Sequence, residues 1–112
     1  FGCGGNRDAG KRAQMGETAA KCADFAVLTS DNPRYEDAHA IISEIEQGYL
    51  RVSKEYVIVE ERERAIAYAL SILSGGDILL IAGKGGEKYQ EIMGIKYDYE
   101  DKAVVRSMIG KK

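Results

Sequence analysis

The chain has 112 residues, 45% apolar and 30% charged, with a formal net charge of −2. That length supports one domain with its own core and is too short for two. The near-neutral balance argues against a general nucleic-acid binder, and no apolar run approaches the roughly 18 residues that span a membrane. Cys3 and Cys22 read as small buried residues of a cytoplasmic protein rather than a disulfide framework, and with His39 they are too few soft ligands for a zinc site.

The chain opens Phe1-Gly2-Cys3-Gly4-Gly5. A Gly-rich turn of this kind normally follows a strand, so a truncated first strand is expected here, followed by a loop to Lys11. From about Lys11 to Ala23 the spacing of Met15, Ala19, Cys22 and Ala23 is helical. Phe25–Thr29 is a short apolar run with the character of a buried strand. It ends in Asp31-Asn32-Pro33-Arg34. Pro33 presets its own φ angle and biases Asn32 towards an extended conformation, so the turn is stiff.

Asp37 is placed to cap a second helix whose apolar face is Ile41, Ile42, Ile45 and Tyr49, with Gly48 near its end. Tyr56–Val59 is a short β-rich run. Glu60 to Leu73 predicts a helix with Ala65, Ile66, Ala69, Leu70 and Leu73 on one side and a solvated, acidic start. After Gly75-Gly76-Asp77, the run Ile78–Ile81 is apolar throughout, as expected of a strand covered on both faces. Gly83-Lys84-Gly85-Gly86-Glu87 follows. Tyr89–Met93 reads as one helical turn. Ile95, Tyr97 and Tyr99 alternate with polar residues, which suggests an edge strand. Asp101 begins a last helix carrying Val104, Val105, Met108 and Ile109. Strands alternating with helices imply an α/β fold: a Rossmann-like, mostly parallel sheet flanked by helices, with one antiparallel edge strand and a truncated first strand.

Three loops therefore follow three strands: Gly4–Lys11, Asp31–Arg34 and Gly83–Glu87. In a parallel sheet they share the carboxyl edge, where ligands of open α/β sheets sit. They offer Arg7, Asp8, Lys11, Arg12, Asn32, Arg34, Lys84 and Glu87. Arg suits a carboxylate, Glu and Asn suit an ammonium group, and the same mixture suits a phosphate. Gly5–Arg12 nearly spells a P-loop, but Arg12 stands where Ser or Thr should ligate magnesium. The dinucleotide fingerprint also fails, for want of a third glycine at the required spacing. No nucleophile–base pair or metal cluster is visible, so the residues alone read as a ligand-holding α/β domain.

The ordered motifs Phe-Gly-Cys-Gly-Gly-x-Arg-Asp-x-Gly-Lys-Arg, Thr-Ser-Asp-Asn-Pro-Arg and Ile-Ala-Gly-Lys-Gly-x-Glu-x-Tyr-Gln resemble the carboxyl-terminal domain of the Mur ligases. The resemblance covers essentially all of residues 1–112, read as a single domain. It implies an ATP-dependent, amide-forming peptidoglycan enzyme, in which an amino-terminal domain holds a UDP-sugar and a central domain holds ATP and Mg2+. The carboxyl-terminal domain binds the incoming amino acid and is expected to be inactive alone, without cofactor or catalytic residues of its own.

Carried over residue by residue, the amino-acid contacts fall on Arg7, Asn32, Arg34, Gly83 and Glu87. The Asp-Asn-Pro-Arg version resembles enzymes that add meso-diaminopimelate to the UDP-MurNAc-dipeptide. Arg34 and Asn32 would grip the distal end of that amino acid, Glu87 its ammonium group, and Arg7 a carboxylate. Gly86 stands where the family usually has His, and Asn6 where it usually has Asp. A lysine-adding variant, and a binding module with altered or lost activity, are the alternatives. No nucleic-acid or membrane partner is expected.

Overall fold

The computed structural model describes residues 1–5, 10–82 and 87–109. Eight elements follow in order: α1 (Gly10–Cys22), β1 (Ala26–Leu28), α2 (Ala38–Tyr49), β2 (Tyr56–Ile58), α3 (Arg62–Ile72), β3 (Tyr89–Ile92), β4 (Ile95–Asp98) and α4 (Asp101–Ile109). The expected mixed α/β architecture is present. It is divided into a parallel pair, β1–β2, and an antiparallel pair, β3–β4.

β1 and β2 run in register from Ala26 opposite Tyr56 to Leu28 opposite Ile58. Ala26 and Ser30 donate their N–H groups to Glu55 and Glu60 on that side. Successive backbone groups of a strand point to opposite edges. The other edge of β1 is taken by Phe1, whose amine donates to the Val27 carbonyl while Thr29 N–H donates to the Phe1 carbonyl. That pattern is parallel, and it lays Phe1 along the second edge of β1.

α2 follows its sequence pattern. The Asp37 side chain accepts from the His39 N–H at 3.2 Å, a one-residue cap for the orphan donors of the first turn. Ile41, Ile42, Ile45 and Tyr49 are buried and form the core with Leu28, Ala26, Ala20 and Cys3. The Tyr49 hydroxyl donates to the Glu55 carbonyl at 2.7 Å, and its ring meets Tyr56 edge-on.

α1 packs on α2 differently from the sequence expectation. Its buried positions are Arg12, Gly16 and Ala20, one stripe at a spacing of four, whereas Met15 and Cys22 are exposed. The physical reason is close approach. A Cβ on Gly16 would lie 2.1 Å from the Ile45 carbonyl oxygen, and one on Gly48 would lie 1.8 Å from that of Ala13. Two glycines let the helix backbones touch, and a stripe of larger side chains would hold them apart.

The run Ile78–Ile81 is not a strand. Among the described residues it has no ladder partner, and Ile78 and Leu80 are 93% and 81% exposed while Leu79 and Ile81 are half-buried. The run lines an apolar cleft of about 990 Å³ together with Phe1, Val27, Thr29 and Ile66. The continuous apolar pattern expresses burial on two faces that these residues do not supply.

Tyr89–Met93 is also corrected. It forms β3 and the first turn residue of a hairpin, not a helical turn. Met93 and Gly94 have φ of 50° and 79° between the directly paired Ile92 and Ile95, the left-handed two-residue connection that matches strand twist. A Cβ on Gly94 would meet only the end of the exposed Tyr35 side chain, which can swing aside, so it is the positive φ that asks for glycine there. The expected antiparallel edge strand is β4.

Candidate amino-acid site

The site is built on Asp31-Asn32-Pro33-Arg34, which leaves the end of β1 and joins the rim of β3. Arg34 N–H donates to the Glu91 carbonyl at 3.0 Å, and Met93 N–H donates to the Arg34 carbonyl, a parallel bridge between Arg34 and Ile92. Gln90 Nε2 donates to the Asp31 carbonyl at 2.7 Å and to Ser30 Oγ at 3.0 Å. The turn is therefore held along its length by one strand edge. Arg34 itself has φ of 54°, a left-handed conformation uncommon outside glycine. Its two backbone bonds to β3 hold it there.

Asn32 is 2% exposed and fully engaged. Its Oδ1 accepts from Glu91 N–H at 2.9 Å, and its Nδ2 donates to Glu87 Oε1 at 3.2 Å. The first contact fixes which way the amide points, and the second presents its NH2 to the carboxylate. Glu87 Oε2 accepts from the Tyr89 hydroxyl at 3.4 Å. Arg34 packs alongside. Its Nη1 donates to the carbonyls of Gly5 and Asn32 at 3.1 and 3.3 Å, and its Nε lies 3.4 Å from Glu91 Oε1.

The first loop meets this turn directly. Gly5 N–H donates to the Asn32 carbonyl at 2.6 Å, and a Cβ on Gly5 would lie 1.8 Å from the Pro33 carbonyl oxygen. A Cβ on Gly2 would lie 2.3 Å from that of Thr29. These two glycines of the opening are needed for contact with the turn.

Three of the five expected residues, Asn32, Arg34 and Glu87, thus converge although 55 positions separate Asn32 from Glu87. Arg7 and Gly83 fall outside the described residues, as do Lys84 and Gly86. Gln90 and Glu91 were missed because their segment was assigned to a helical turn. Their only sequence signal is their place three and four residues after Glu87.

Two other arginines are buried and paired with carboxylates. Arg12 is 2% exposed, with Nη1 at 3.0 Å from Glu36 and 2.9 Å from Glu44, and Nη2 donating to the Gly4 carbonyl. The bond from Glu36 and the Glu44 carboxylate hold its charge more firmly than usual against the cost of burial. Where a P-loop needs a hydroxyl, this chain has a buried cation already paired with two carboxylates. Among the described residues no group of three His, Cys, Asp or Glu is placed to hold a metal. Arg62, expected on a solvated helix start, is likewise 2% exposed and forks onto Asp101 at 2.9 and 2.8 Å.

The chain is 49% identical over 109 residues to the UDP-N-acetylmuramoyl-L-alanyl-D-glutamate--2,6-diaminopimelate ligase of Cytophaga hutchinsonii, covering 96% of the chain and 22% of that protein. It is 48% identical over 110 residues to the ligase of the same name from Lawsonia intracellularis, covering 98% of the chain and 23% of that protein. A solved structure of a protein with that name superposes with a TM-score of 0.92 at 42% identity, covering 99% of the chain and 23% of the solved chain. The chain thus spans less than a quarter of the length of these relatives. Residues 1–85 match the family model described as Mur ligase, glutamate ligase domain, and the chain belongs to that family.

Proposed function

We propose that this chain is the amino-acid-binding domain of an ATP-dependent ligase that joins meso-diaminopimelate to UDP-MurNAc-L-Ala-D-Glu in peptidoglycan synthesis. The observation that supports it is the Asn32–Glu87 hydrogen bond at 3.2 Å, with the Arg34 guanidinium bonded to the Asn32 carbonyl at 3.3 Å. One carboxylate, one amide and one guanidinium at a single rim match a zwitterionic end group, which carries an ammonium and a carboxylate. Lysine presents only an ammonium there and would offer Arg34, whose Nε already faces Glu91, no ligand carboxylate.

In this reading Glu87, oriented by the Asn32 NH2, receives the distal ammonium, Arg34 the distal carboxylate, and Arg7 and Gly83 complete the contacts. The central domain of the full-length enzyme would hold ATP and Mg2+, which would supply the activation of the dipeptide carboxyl that the amine attacks. The present residues bind and orient the attacking amine and exclude water when the domain closes. The isolated domain is inert, and the full-length protein works in the cytoplasm.

The test is ATP-dependent amide formation by the full-length protein with meso-diaminopimelate or L-lysine as acceptor amine. Preference for diaminopimelate is expected. Preference for lysine, or no turnover with either, would overturn the reading. Turnover by the 112-residue chain alone would overturn its inertness.

A further inference from the structure

We infer that Arg62, locked by Asp101, is a positioning residue that sets the separation of the two loops forming the amino-acid site; this rests on the function proposed above. The guanidinium makes four directed contacts. Nε and Nη2 donate to the two Asp101 oxygens at 2.9 and 2.8 Å. Nη1 donates to the Ser30 carbonyl at 3.2 Å, and Nη2 also donates to the Ala82 carbonyl at 3.2 Å. Ser30 immediately precedes the Asp31–Arg34 turn, and Ala82 immediately precedes Gly83. A single planar group therefore spans the roots of both loops.

Placement at this point has leverage. Asn32 lies two residues beyond Ser30 and Glu87 five beyond Ala82, and their side chains must meet at hydrogen-bond distance. Ser30 is further tied by its N–H to the Glu60 carbonyl and by its Oγ to Gln90. The Ala82 side is different. The run leading to it has no ladder partner among the described residues, so the Arg62 contact is what joins its end to β1. Asp101 opens α4 and is 8% exposed, so it orients the guanidinium from a helix start and neutralises it in the interior. Burial pulls the Arg62 pKa down, and the bonds and charge of Asp101 outweigh that, leaving the cation firmly protonated.

Lysine cannot replace this geometry. Its ammonium can pair with Asp101 but has no rigid fork to reach both carbonyls as well. In the full-length enzyme, Arg62→Lys is expected to fold and to raise KM for meso-diaminopimelate roughly tenfold or more, since displacement of a positioning contact by about 1 Å costs up to a hundredfold. KM for ATP is expected to stay unchanged.

The paired variant Arg62→Gln with Asp101→Asn removes both charges, avoids leaving one buried alone, and is expected to show the same selective rise. A lower melting temperature with unchanged KM for diaminopimelate, an equal rise in both KM values, or failure of both variants to fold would make the pair a stabiliser of the core and overturn the inference. Wild-type enzyme that does not use diaminopimelate would overturn the proposed function instead.

Discussion

Replacing Gly48 by Ala tests how α1 and α2 meet. The added methyl would sit 1.8 Å from the Ala13 carbonyl oxygen, 2.5 Å from its carbonyl carbon and 2.7 Å from its Cα, where ordinary contact begins at 3.4 Å. All three atoms are backbone within a helix, so no rotamer change relieves the clash and the helices must part by about 1.5 Å. Overpacking of this kind costs roughly 1–3 kcal/mol, and the rigid obstacle places this site at the upper end. Alanine returns about 1 kcal/mol through its better helix propensity. The net expectation is a loss of about 2 kcal/mol, or roughly 10 °C in Tm for a domain of this size. Urea unfolding of the chain at constant m-value measures it. The control is Gly75→Ala, where nothing lies within 4 Å, and a gain of about 0.4–1 kcal/mol is expected from the stiffer unfolded chain. A Gly48→Ala chain as stable as the parent would refute the close helix crossing.

The remaining expectations concern buried polar groups. Tyr49→Phe removes the 2.7 Å bond to the Glu55 carbonyl while keeping the ring, and should cost about 1 kcal/mol in the same unfolding assay. Cys22, exposed, should react with iodoacetamide in the folded chain well before buried Cys3. Burial also raises the Cys3 thiol, so the unfolded thiol ionises first and stability falls as pH rises through the ordinary thiol range.

What could be read from the sequence was what local spacing determines. The cap at Asp37 and the stripe Ile41, Ile42, Ile45, Tyr49 need only helix geometry and a core to face. The turn at Asp31–Arg34 needs only Pro33 and the strand before it. The segments that escaped reading depend on distant partners. Arg62 stands in an acidic, polar run and looks solvated, and its burial is decided by Asp101, 39 positions later. Arg12 is buried because Glu36 and Glu44 reach it from the turn and from α2. β3 lacks apolar alternation, and the hairpin at Met93-Gly94 with the Arg34 bridge makes it a strand. Ile78–Ile81 carried the opposite lesson: an apolar run records the burial a segment is built for, and the described residues cover only one of its faces.

The central claim is that Arg34 reads the distal carboxylate of meso-diaminopimelate. Its most direct test is the KM of the full-length enzyme for diaminopimelate and for ATP, before and after Arg34→Ala. A charge-assisted hydrogen bond of about 1.5–3 kcal/mol gives a rise of roughly ten- to a hundredfold for diaminopimelate, with KM for ATP unchanged. Equal changes in both would mean that Arg34, through its bonds to Gly5 and Asn32, braces the domain and does not select the substrate.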